Sequence, residues 1–179
     1  MRKLKVTEMG RISPQEFQKA RKTPIVVVLD YVRSLYNVGS VFRTADAMRL
    51  EGIYLCGITA TPPNIEIHKT ALGAEDTVSW QYFCNTEDAV ASLKNEGYTI
   101  MAVEQCEGST MLNEFRPDSD KKYAIILGNE VKGVQQHIVD MADGCIEIPQ
   151  FGTKHSMNVS VTAGIIIWDM MQKSYLHLC

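Results

Sequence analysis

Residues 25–29 read Ile-Val-Val-Val-Leu, with Thr23-Pro24 before them and Asp30-Tyr31 after. Five consecutive apolar residues, four of them β-branched, leave no alternate position to turn toward water. The run therefore predicts a strand covered on both faces, as in a parallel sheet with helices on each side.

The pattern around that strand agrees. Upstream, Ser13-Pro14-Gln15-Glu16 is a capping box with proline at the first helical position, predicting a short helix to about Lys22. Downstream, a helix is expected from about Val38 to Arg49, a strand over 53–56, a helix over 67–72 and a strand over 78–83. A helix over 87–96, a strand over 98–103 and a turn-rich loop over 104–120 follow. The strand 123–127, the helix 134–141, the strand 145–148 and a last helix from about Met157 to Tyr175 complete the alternation. The predicted class is α/β, a mostly parallel sheet with helices on both faces.

The chain has 179 residues, enough for one domain with a real core. We divide it into a basic N-terminal arm with a short helix, residues 1–23, and a domain over 24–179. No leader or bilayer-length apolar run is read, so a cytoplasmic protein without a membrane partner is expected. Cys56, Cys84, Cys106, Cys145 and Cys179 are scattered and odd in number, suggesting neither a disulfide framework nor a metal site. The net charge of −3 argues against a general nucleic-acid binder, but it is uneven. Residues 1–50 carry ten Arg or Lys against four Asp or Glu, while the remainder carries eight against seventeen. An N-terminal third of that sign can meet a polyanion or simply be a solvated face.

In α/β folds ligands gather where strands end, so the loops after strands deserve the closest reading. Three carry unusual residues. In the first, Asn37 suits an N-cap, Gly39 costs helix stability and so implies a close neighbour, and Arg43 lies one turn beyond it on the same face. The second, Leu127-Gly-Asn-Glu-Val-Lys-Gly133, has two glycines around Glu130 but is no ordinary phosphate loop; Glu130 suits the first turn of the next helix. In the third, Pro149 and Gly152 turn the chain, and Ser156 or Asn158 begins the last helix.

In order and spacing these loops resemble the three motifs of the SpoU/TrmH branch of the SPOUT methyltransferases. Asn37, Gly39 and Arg43 match the first motif, and Gly128, Asn129, Glu130 and Gly133 the second. Ile148, Pro149, Gly152, Ser156, Asn158, Val159 and Ser160 match the third, with Met157 where the family has leucine. Leu35 stands near where many relatives carry proline. The likeness covers about residues 24 to 175.

The resemblance implies a deep C-terminal trefoil knot, a homodimer, and S-adenosylmethionine bound by Leu127, Gly128, Asn129, Ile148, Met157 and Asn158, without a metal. It implies methyl transfer to a ribose 2′-hydroxyl of transfer or ribosomal RNA, with Asn37, Arg43, Glu130, Ser156 and Asn158 as catalytic residues. Arg43 would reach the partner subunit's cofactor, and the last helix, through Ile165, Trp168 and Met171, would supply much of the interface. A guanidinium stays charged at neutral pH, so Arg43 is read as a grip on the RNA phosphate rather than as the proton acceptor. Asn37 would hold Arg43, and Glu130 would orient it from below. Of the histidines considered as bases, His68, His137 and His155, only the last lies beside a motif. The alternatives are a non-catalytic knotted RNA-binding or regulatory protein, and a base-nitrogen methyltransferase of the same fold.

Overall fold

The computed structural model describes residues 1–176; Cys179 lies outside them. The strands are β1 (Thr23–Asp30), β2 (Leu50–Cys56), β3 (Trp80–Phe83), β4 (Tyr98–Val103), β5 (Thr110–Met111), β6 (Lys122–Leu127) and β7 (Gly144–Glu147). All pair in parallel, in the order β3-β2-β1-β6-β4-β7-β5. The helices are α1 (Pro14–Lys19), α2 (Leu35–Ala47), α3 (Ile65–Ala71), α4 (Thr86–Asn95), α5 (Gln136–Met141) and α6 (Val159–Met170), the last followed by a π-helical turn over Met171–Tyr175.

The continuous apolar run of β1 is explained by two separate cores. Ile25, Val27 and Leu29 face one side, where they pack with Phe17 of α1, Val38, Val41 and Phe42 of α2, and Ile166, Ile167 and Met170 of α6. Val26 and Val28 face the other, against Ala89, Val90 and Leu93 of α4 and Ile138 of α5. Each face therefore needs its own apolar set over residues 25–29, and the buried polar residues at the two ends of the strand have partners: Thr23 Oγ1 donates to Met48 O, and Asp30 accepts from Thr86 and Gln135.

Several boundaries differ from the expected ones. α2 starts at Leu35 because Ser34, not Asn37, is its N-cap: Ser34 Oγ accepts the Asn37 N–H. Glu130 lies in no helix, since α5 begins only at Gln136. The loop 104–120 contains β5, a two-residue strand on the sheet edge beside β7. Along α6, Ile165, Trp168 and Met171 do not share one exposed face. Met171 is buried in the core, Ile165 is half-buried against it and Trp168 is exposed, as is Val161.

The end of α6 is tied to the β4–β6 connection. Lys173 Nζ donates to Leu112 O at 2.6 Å, and the Tyr175 hydroxyl donates to Asp118 O and Lys121 O at 3.1 and 3.0 Å. Cys56, Cys84, Cys106 and Cys145 are free thiols. No helix among the described residues is long and apolar enough to cross a membrane.

Candidate active site

Because every strand runs the same way, the loops after β1, β4, β6 and β7 leave from one edge of the sheet. The β6–α5 loop is shaped by its own residues. Asn129 and Gly133 exchange backbone hydrogen bonds of 3.0 and 2.8 Å, and Asn129 Oδ1 accepts the N–H groups of Val131 and Lys132. Gly133 has φ +68°, and a Cβ on Gly128 would stand 2.1 Å from Gly133 C and Val134 N. Both positions therefore exclude side chains, the first by conformation and the second by space.

This turn carries Glu130 to the start of α2. Its Oε2 accepts the Arg33 N–H at 3.0 Å, and its Oε1 accepts the Ser34 N–H at 2.9 Å and Asn37 Nδ2 at 3.1 Å. A carboxylate at a helix N-terminus is favoured by the helix dipole. Partial burial pushes the Glu130 carboxyl up, but the donors at Arg33, Ser34 and Asn37 outweigh it, and the group lies below its ordinary carboxylate value.

Asn37 passes the connection on. It is buried, and its Oδ1 accepts Asn158 Nδ2 at 3.1 Å. Asn158 in turn caps α6, its Oδ1 accepting the N–H groups of Ser160 and Val161. Glu130, Asn37 and Asn158, one from each motif loop, thus form one hydrogen-bonded relay across three helix or strand ends.

Beside the relay lies a cavity of about 460 Å³. Leu127, Ile146, Ile148 and Val159 give it apolar walls, while Gly128, Asn129, Glu130, Ser156 and Met157 line it from the two motif loops. Asn37, Asn158 and Arg43 are not among its lining residues. The expected Asn37–Arg43 contact is also absent: Asn37 is engaged by Glu130 and Asn158, and the exposed Arg43 bonds to no described residue. Gly39, one turn before Arg43, is covered by α3, where a Cβ would stand 2.2 Å from Ile67 O and from Thr70 Oγ1. The close approach implied by that glycine is helix packing, not a ligand surface.

His68 and His137 are paired with Glu75 and Glu87 outside this site, whereas His155 lines the cavity. Sequence reasoning overlooked Glu104 and Gln105, which also line it. Their only prior signal was position directly after a predicted strand. A second cavity, beside Pro62, Glu75 and Trp80, is lined by His68 but by no residue of the three motifs.

Residues 24–168 match the SpoU rRNA Methylase family. The chain is 31% identical over 153 residues to the 23S rRNA (guanosine-2'-O-)-methyltransferase RlmB of Neisseria meningitidis, covering 86% of this chain and 60% of that protein. It is 28% identical over 167 residues to the tRNA (guanosine(18)-2'-O)-methyltransferase of Thermus thermophilus, covering 93% and 84%. The fold superposes on the A. aeolicus TrmH/SpoU tRNA modifying enzyme with a TM-score of 0.77 and 28% identity, covering 89% of this chain and 79% of that one. An AdoMet-bound rRNA methyltransferase from Sinorhizobium meliloti gives a TM-score of 0.78 at 28% identity, covering 90% and 61%. The chain spans about three-fifths to two-thirds of the length of several curated relatives it matches.

Proposed function

The chain belongs to the SpoU rRNA Methylase family, and we propose that it transfers a methyl group from S-adenosylmethionine to a ribose 2′-hydroxyl of a ribosomal or transfer RNA. The observation that carries this reading is the Glu130–Asn37–Asn158 relay, which joins all three motif loops beside one cavity. The cavity suits the cofactor on its own terms. About 460 Å³ falls within the roughly 300–1,000 Å³ of small-molecule sites, and apolar walls under loops rich in backbone polar groups match a flat adenine and its polar tail.

Leu127, Gly128, Asn129, Ile148 and Met157 would hold the cofactor, whose sulfonium presents the methyl as a ready electrophile. The protein's part is alignment and one proton. Asn158, fixed as a helix cap and held by Asn37, and Ser156, on the cavity wall, would orient the ribose. Glu130 would fix Asn37.

Arg43 fits the same scheme across a homodimer. Exposed, bonded to no described residue and outside its own subunit's cavity, it is available to reach the partner's site and grip the RNA phosphate with its planar fork. The exposed apolar residues Val161 and Trp168 on α6 support an interface there. We include the C-terminal knot in this reading, supported by the bonds from the end of α6 to the β4–β6 connection. Four free thiols support a cytoplasmic location.

The test is the acceptor atom. Replacing the target nucleotide by its 2′-deoxy form should abolish transfer while leaving most RNA binding, which phosphate contacts dominate. Added mass on the base rather than the sugar would overturn the reading.

A further inference from the structure

Glu104, the first residue after β4, is half-buried on the wall of the cavity. Its Oε2 accepts the Val134 N–H at 3.0 Å and its Oε1 accepts the Gln105 N–H at 2.9 Å. The approach to the β6–α5 loop is close enough that a Cβ on Gly133 would stand 2.0 Å from Oε2. Gln105 Nε2 donates to His155 O at 2.9 Å in the β7–α6 loop. The two residues thus bind both loops that flank the cavity, and no motif includes them.

Backbone N–H groups alone do not call for a charge at this position, since a neutral amide oxygen would also accept them. Glu104 forms no ion pair with any described residue, and each of its oxygens has one protein donor with acceptor capacity to spare. A carboxylate on the cavity wall with acceptor capacity left over is complementary to a ligand that brings positive charge. The methyl donor differs from its product in charge: S-adenosylmethionine carries a sulfonium, and S-adenosylhomocysteine a neutral sulfide.

We propose that Glu104 is a positioning residue that reads the charge of the cofactor, favouring the sulfonium donor over the sulfide product while its bond to Val134 sets the loop against which the donor lies. This rests on the cavity being the S-adenosylmethionine site. The consequence is functional: product is displaced by fresh donor because the wall of the site is anionic.

Titration calorimetry of the full chain with both compounds tests it. The unaltered protein should bind S-adenosylmethionine more tightly than S-adenosylhomocysteine, and added salt should narrow the difference. Glu104→Gln should weaken donor binding about tenfold more than product binding, and Glu104→Asp, which keeps the charge, should weaken both while restoring the preference. Gln105→Ala, which loosens the His155 loop without removing charge, should weaken both equally. Equal losses for the two compounds in Glu104→Gln, with an unchanged melting curve, would overturn the charge-reading role alone. Failure of the unaltered protein to bind either compound would instead overturn the assignment of the cavity, and this inference with it.

Discussion

Asn37 Nδ2 donates to Glu130 Oε1 at 3.1 Å across 93 residues of sequence. Its oxygen accepts Asn158 Nδ2 at 3.1 Å and the Ser160 hydroxyl at 3.4 Å, so each end of the amide faces a different motif loop. The buried asparagine therefore joins the first loop to both of the others.

Cutting this relay should separate turnover from binding. Asn37→Ala should lower methyl transfer at least about tenfold, one hydrogen bond's worth of about 1.4 kcal/mol, while leaving cofactor affinity within about threefold. Single-turnover rates and calorimetry on the same preparation check both. A rate unchanged by Asn37→Ala would remove the relay from the chemistry.

Glu130 makes stability depend on acid. Its folded-state carboxyl lies below the ordinary value of 4.5, so its contribution is complete above that value and is lost as pH falls through the depressed folded value. The difference in urea midpoint between the protein and Glu130→Gln should therefore be constant from pH 7 to about 5 and shrink below 4.5. A gap that stayed constant into strong acid would mean the carboxylate is not stabilised by its donors.

Gly39→Ala should destabilise the fold, although alanine is the better helix former. The added carbon meets a backbone oxygen of α3 at 2.2 Å, an overpacking expected to cost about 1–3 kcal/mol. Thermal unfolding should show a Tm lowered by several degrees; a raised Tm would show that α2 and α3 separate easily.

Mixed dimers test where Arg43 works. Arg43→Ala and Gly128→Ala homodimers should both be inactive, the second because its new carbon would stand 2.1 Å from the Gly133 and Val134 backbone. A heterodimer of the two should recover about half of the unaltered activity. Inactivity of a verified, folded heterodimer would place Arg43 at its own subunit's cofactor.

The basic arm has a separate test. Arg2 is paired with Glu8, so part of its charge is already engaged within the chain. Deleting residues 2–11 should flatten the salt dependence of RNA binding by about 0.9 in log–log slope for every duplex phosphate that the arm had neutralised. An unchanged slope would make the arm a solvated face.

What the sequence revealed and what it hid follow from the range of the interactions. The run Ile25–Leu29 announced a doubly covered strand because burial on both faces is written into consecutive residues. Asn158 was legible as a helix start for the same local reason. Asn37 was not: it looks like a cap, yet Ser34 takes that place and frees its amide for partners 93 and 121 residues away. Glu130, read as a first-turn acid, does serve a helix N-terminus, but that of α2 rather than α5. Glu104 carried only the signal of standing directly after a strand, since its bond is to a loop 30 residues downstream. β5 was hidden because a two-residue strand has no periodicity to read.

The single direction of all seven strands leaves the molecule with a working edge and an idle one. Every loop of the cavity departs from the carboxyl ends, so the turn from α4 into β4 sits at the far end of a six-residue strand, about 20 Å away at ~3.3 Å per residue. Gly97 in that turn has φ +83°, and nothing lies within 4 Å of where its Cβ would be. A tether, fluorophore or fused domain attached between Glu96 and Gly97 would hang from the opposite edge of the sheet, leaving the cavity and its loops unobstructed for immobilised or single-molecule measurement.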